Sequence, residues 1–117
     1  MNTIMQQWVE TKETLISESN RVVASLREAV KIVQEATGQK IIQPITFGEE
    51  EGTKVAISSY GNGDYVKLYA GNNAPWYTEN FDKNQHWWGS LREYRALIEI
   101  LRQIDTGTII SAWEKQQ

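Results

Sequence analysis

Between Thr3 and Thr37 the chain has neither proline nor glycine, and its apolar residues recur as doublets seven apart: Trp8-Val9, Leu15-Ile16, Val22-Val23 and Ala29-Val30. Leu26 and Val33 extend the stripe, and the intervening positions are polar or carry charges of both signs. A seven-residue repeat keeps side chains on one side of a helix with little drift. The pattern therefore predicts an amphipathic helix over 3–37. Thr3 and Gln6 have capping-box spacing at its start, and Gly38 stands where a left-handed residue commonly ends a helix.

Such a helix would run about 50 Å at ~1.5 Å per residue. A compact domain of this size has a radius of gyration of about 13–14 Å. Two readings follow. The helix breaks near Glu18-Ser19-Asn20, or its overhanging part packs on another copy. The doublets continue through the weak point and favour the second reading. The expectation is a homo-oligomer whose interface includes Trp8, Leu15, Val22 and Leu26.

After Gly38 the period changes from helical to alternating. Ile41 to Phe47 is β-branched but contains Pro44, which cannot donate to a ladder, so an edge strand or a bulge is expected. Gly48-Glu49-Glu50-Glu51-Gly52-Thr53 reads as a turn. Thr53 to Tyr60 alternates, with Val55, Ile57 and Ser59 on one face. Asp64 to Ala70 alternates too, with Val66 and Leu68 on one face. Gly61-Asn62-Gly63 between them is a hairpin signal. The opposite face, with Lys54, Ser58, Tyr60, Tyr65, Lys67 and Tyr69, suits water or a ligand. Residues 71–89 read as a loop opened by Gly71-Asn72-Asn73-Ala74-Pro75. Ser90 and Glu93 form a second capping box, opening a helix to about Ile104 with Tyr94, Leu97, Ile98, Leu101 and Ile104 on its apolar face. Asp105-Thr106-Gly107 closes it. Ile109, Ile110 and Trp113 anchor a short final helix. The fold class expected is α+β: a single domain over 1–117 with a long helix (3–37), a three-stranded antiparallel β-meander (41–70), an aromatic loop (71–89) and one or two C-terminal helices (90–116) packed on one sheet face.

Composition narrows the function. The formal net charge is −3, which disfavours nonspecific nucleic-acid binding, since that needs an excess of Lys and Arg on one face. The chain has no cysteine, so a thiol nucleophile and a cysteine zinc site are excluded. No apolar run approaches the roughly 20 residues of a membrane span, and the first residues lack a signal peptide's basic and apolar regions. A cytoplasmic protein without membrane contact is expected.

Two features carry candidate chemistry. Trp76, Tyr77, Phe81, Trp87 and Trp88 crowd one short segment. Rings of this kind close small cores, and they also stack on planar ligands. Arg92, Arg95 and Arg102 fall within about 80° of one another on the Ser90 helix. Guanidinium groups hold phosphate or carboxylate bidentately. Rings and guanidiniums together suit a nucleotide-like ligand, and equally a protein hot spot. His86 is the sole histidine, which precludes a multi-histidine metal site. Asp82 and His86 could form a general-base pair, and a hydrolase built on them is the minor alternative. No cofactor or metal is implied. The leading expectation is a non-enzymatic, homo-oligomeric binding protein that captures a small planar anion by sequestration, in the manner of a phage or mobile-element counter-defence protein. The alternative is a protein-interaction module, an inhibitor or adaptor, that meets its partner protein through the aromatic loop.

Overall fold

The computed structural model describes residues 3–41, 44–50, 53–60, 65–70, 74–78 and 90–117, with side chains over 3–41, 44–48, 54–58 and 90–117. The fold is α+β. Its elements are α1 (Ile4–Thr37), β1 (Ile45–Glu50), β2 (Thr53–Tyr60), β3 (Tyr65–Ala70), β4 (Ala74–Thr78), α2 (Leu91–Leu101) and α3 (Thr106–Lys115).

α1 begins and ends where its sequence signals stand. Thr3 Oγ1 accepts from the Gln6 N–H at 3.1 Å, and Gln6 Oε1 accepts from the Thr3 N–H at 2.7 Å. At the other end Gly38 takes φ +74° and donates its N–H to the Gln34 carbonyl at 2.9 Å. A side chain would strain that left-handed backbone. The helix runs without a break through Glu18-Ser19-Asn20. The longest dimension of the molecule, 52 Å, is close to the helix's own length of about 51 Å at 1.5 Å per residue.

What covers so long a helix is a relay of two shorter ones. The Trp8 and Tyr94 rings meet with centroids 5.0 Å apart. Further along, the Arg21 guanidinium donates to the carbonyls of Leu101 at 2.6 Å and Ile104 at 2.7 Å. Further still, the Thr106 hydroxyl donates to the Ser25 carbonyl at 3.4 Å. Residue numbers rise together on both sides, so α2 runs in the direction of α1, and α3, which also packs on α1, begins beside Ser25. At the junction Asp105 caps α3: Oδ1 accepts from the Thr108 N–H at 2.8 Å, and Thr108 Oγ1 accepts from the Asp105 N–H at 2.8 Å. The tripeptide expected to end one helix thus also begins the next. α2 itself stops at Leu101 rather than Ile104.

α2 packs against α1 on one side and against β1 and β2 on the other. It accordingly buries Ala96 and Ile100 in addition to Tyr94, Leu97, Ile98 and Leu101, a wider surface than the single apolar face expected. A helix covered from two sides needs apolar residues around most of its circumference. Ile45, Val55 and Ile57 supply the buried face of the sheet.

The sheet departs from the three strands expected. Its backbone pairs in the order β1-β2-β3-β4, every neighbour antiparallel. β4 falls inside the segment expected to be an aromatic loop. β1 starts at Ile45, so Pro44 precedes the strand and removes no ladder bond. The edge position and the bulge are both present: β1 is an outer strand, its register shifts between Phe47 and Glu50, and Gly48 takes φ +50°. The Gly61-Asn62-Gly63 turn lies outside the described residues. On the sheet's other face Lys54 is exposed but Ser58 is buried, so that face is not uniformly open to water.

The interface expected on α1 is corrected. Leu15, Val22 and Leu26 are fully buried within the chain's own core and are unavailable to a second copy. Trp8 is half-buried against Tyr94. Heptad spacing specifies a buried stripe, and here the cover is intramolecular. Burial fades toward the N-terminus: Val30 and Val23 are buried, Ile16 is half-buried, and Val9, Met5 and Ile4 are 44%, 69% and 82% exposed.

Two outcomes test this core. Leu15→Ala should lower unfolding free energy by about 2–5 kcal/mol in urea titration, and Leu15→Glu should unfold the chain rather than yield a smaller folded particle. Arg21→Ala should cost about 1–3 kcal/mol, because two carbonyls at the α2–α3 junction lose a charged donor. A change below a few tenths of a kcal/mol would mean that water replaces the guanidinium fully.

Candidate functional site

Ser90 opens α2 with a capping box, its Oγ accepting from the Glu93 N–H at 3.2 Å while Glu93 Oε1 accepts from the Ser90 N–H at 3.3 Å. This fixes the helical phase of the three arginines that follow. Arg95 and Arg102 line a groove of about 360 Å³ between α1 and α2, with Glu10, Thr11 and Thr14 from the first helix and Ile98 and Glu99 from the second. Arg92 is exposed and does not line it. The expected trio is therefore brought together as a pair.

The two arginines differ in what holds them. Arg102 Nη1 lies 3.6 Å from Glu99 Oε1, and its Nε lies 3.9 Å from Glu18 Oε1. Glu18 also takes Arg21 Nε at 2.9 Å, so a short chain of charges crosses from α1 to the end of α2. These groups are solvent-exposed enough that each pair contributes little. Arg95 makes no ion pair or hydrogen bond with a described residue. Its donors are available to an arriving acceptor. Thr14 spends its hydroxyl hydrogen on the Glu10 carbonyl at 2.9 Å, the usual bond of a helical threonine to the preceding turn. Chemically the groove can hold one anionic group on Arg95 above an apolar Ile98 floor, with carboxylates on either side.

Glu10, Thr11 and Thr14 were not singled out from sequence. Thr11 was the available signal: it interrupts the apolar line from Trp8 to Leu15 where that line borders α2.

The aromatic half of the expected site is not in view. Trp76 and Tyr77 are placed by their backbone on β4. Phe81, Trp87 and Trp88 lie outside the described residues, as do Asp82 and His86. Among the described residues no three acidic or histidine side chains cluster to hold a metal, and no helix is long and apolar enough to cross a membrane.

Beside the groove, Tyr94 is 1% exposed under the Trp8 ring. Burial, and secondarily the charge of Glu93, pushes its hydroxyl from 10.0 up to about 12. It stays neutral through the physiological range and cannot serve as a base there. Because the folded pKa lies above the unfolded one, the stability this hydroxyl contributes is fully present below about pH 10 and is lost as pH rises toward about 12. Tyr94→Phe should flatten the alkaline fall in stability, measured as the difference between wild type and variant in urea titrations across that window. Parallel curves would place the alkaline loss elsewhere.

Comparison with known protein families, with characterised proteins and with solved structures gives no match.

Proposed function

We propose that this chain is a non-enzymatic, homo-oligomeric binding protein that captures a small planar anion of nucleotide type at the α1–α2 groove. The observation that carries the reading is Arg95, a guanidinium without an ion pair among the described residues, in a groove walled by two helices. An anionic group would take Arg95 bidentately, and Arg102 would turn to it from weak, exposed pairs. The planar part would stack on a ring drawn from Trp76, Tyr77, Phe81, Trp87 or Trp88, with Arg92 at the groove's margin. Capture without turnover makes the mechanism sequestration. A small acidic binder of this kind suits a phage or mobile-element counter-defence protein working in the cytoplasm.

A second reading has its own support. Glu10 and Glu99 beside Arg95 and Arg102 give the groove both signs of charge. Mixed charge around an apolar floor is the pattern of a protein contact, as in an inhibitor or adaptor. That module would use the same groove together with the aromatic segment.

Thermal melts against nucleoside mono- and diphosphates separate the two. Ligand capture should raise stability by about 2.7 kcal/mol at a hundred times the dissociation constant. Arg95→Ala should abolish the gain and leave the melting temperature of the free protein unchanged. Absence of any gain across the panel would sink ligand capture. Loss of a partner on Trp87→Ala would then support the interaction module.

A further inference from the structure

A larger open groove, of about 890 Å³, lies at the other side of the fold between β1 and α3. β1 is an outer strand among the described residues: one edge bonds β2 and the other meets no described strand. Among the described residues no backbone group outside the sheet bonds β1. α3 runs antiparallel beside it. Gln116 Nε2 donates to the Pro44 carbonyl at 3.0 Å at one end. Gly48 comes up to Ile100, just before the α2–α3 junction, at the other. The groove's middle is lined by Ile45 and by short side chains of α3 such as Ser111.

Its two ends carry opposite charges, Asp105 at the start of α3 and Lys115 at its end, both exposed. The geometry points to a second copy of this chain as the occupant, docked edge to edge on β1 about a two-fold axis near Thr46 and Ser111. Such an axis brings the Asp105 end of one copy onto the Lys115 end of the other, twice. The strand edges then meet at the centre through their backbone N–H and carbonyl groups and extend the sheet across the contact. A uniformly acidic or uniformly basic partner would be repelled at one end, whereas a second copy satisfies both. Asp105 uses Oδ1 to cap α3 and keeps its second oxygen for the partner's lysine. The bulge after Phe47 confines regular pairing to Ile45–Phe47, and a two-fold contact uses the same patch on both copies, so assembly closes at a dimer. The inference rests on the homo-oligomeric part of the proposed function and moves the contact from α1 to β1 and α3.

Light scattering over a concentration series tests it. The wild type should reach twice the 13.5 kDa chain mass. Ser111→Arg, at an exposed position in the groove's middle, should be a monomer with unchanged helical circular dichroism. Lys115→Glu should shift dissociation to at least about tenfold higher concentration, with added salt restoring part of the loss. Should Ser111→Arg fail to fold, Lys115→Glu decides. A wild-type dimer untouched by either variant overturns this surface but leaves a homo-oligomer standing. A wild type that is monomeric throughout overturns both and leaves the groove to an extended segment of another protein. Neither outcome touches the nucleotide melts or Arg95.

Discussion

A 34-residue helix with apolar residues on one side leaves a stripe about 51 Å long to be covered. No single element in the rest of the chain has that length. α2 and α3, of 11 and 10 residues, span about 32 Å together and cover the part of the stripe from Leu15 onward, leaving Ile4, Met5 and Val9 exposed. Their junction is then the weak point of the arrangement, since the last carbonyls of α2 end beside the first turn of α3. Arg21 meets that need from α1 by donating to two carbonyls there. Asp105 meets it from within by capping the new helix. The sheet then covers the side of α2 that α1 leaves open, which is why α2 is apolar on more than one face.

Local signals in the sequence specify most of the helical frame. The Thr3 and Ser90 capping boxes and the Gly38 stop involve residues within a few positions of each other, so their chemistry does not depend on the rest of the fold. The final helix was legible from Ile109 and Trp113, both buried. Its start was less legible, because the Asp105–Thr108 capping box also reads as the end of the preceding helix. The strands were legible in kind but not in number or bounds. The β-branched Ile41 and Ile42 drew the first strand too early, across Pro44, and Pro75 with its polar neighbours hid β4. Turn-type composition lowers the propensity for a strand without forbidding pairing with an established neighbour.

The oligomer reading shows what a heptad pattern can and cannot specify. Doublets seven apart state that both flanks of a stripe are to be buried. They carry no information on whether the cover is another chain or a later part of the same one. Here Val23 and Val30, second members of their doublets, are covered by the chain itself, while Val9 is not. Contacts across 80 or so residues of sequence decide this, and no local pattern encodes them. The arginine groove was legible to the same extent. Helical phase brings Arg95 and Arg102 to one flank of α2, but Thr11 and Thr14 come from the facing helix and depend on the parallel register of α1 and α2.

That register also separates the two surfaces in mechanical terms. The α1–α2 groove lies at the end of α1 where, among the described residues, burial is thinnest: full burial begins at Leu15, and ahead of it Trp8 packs on Tyr94. Segments with few buried contacts open at low free energy. A ligand held by Arg95 beside the threonines of α1 would tie α1 to α2 at this end. The β1–α3 groove lies beside a helix whose Ile109 and Trp113 belong to the main cluster of buried residues. The long helix thus puts the α1–α2 groove where its described residues are least buried, and α3 puts the second groove beside residues of the main cluster.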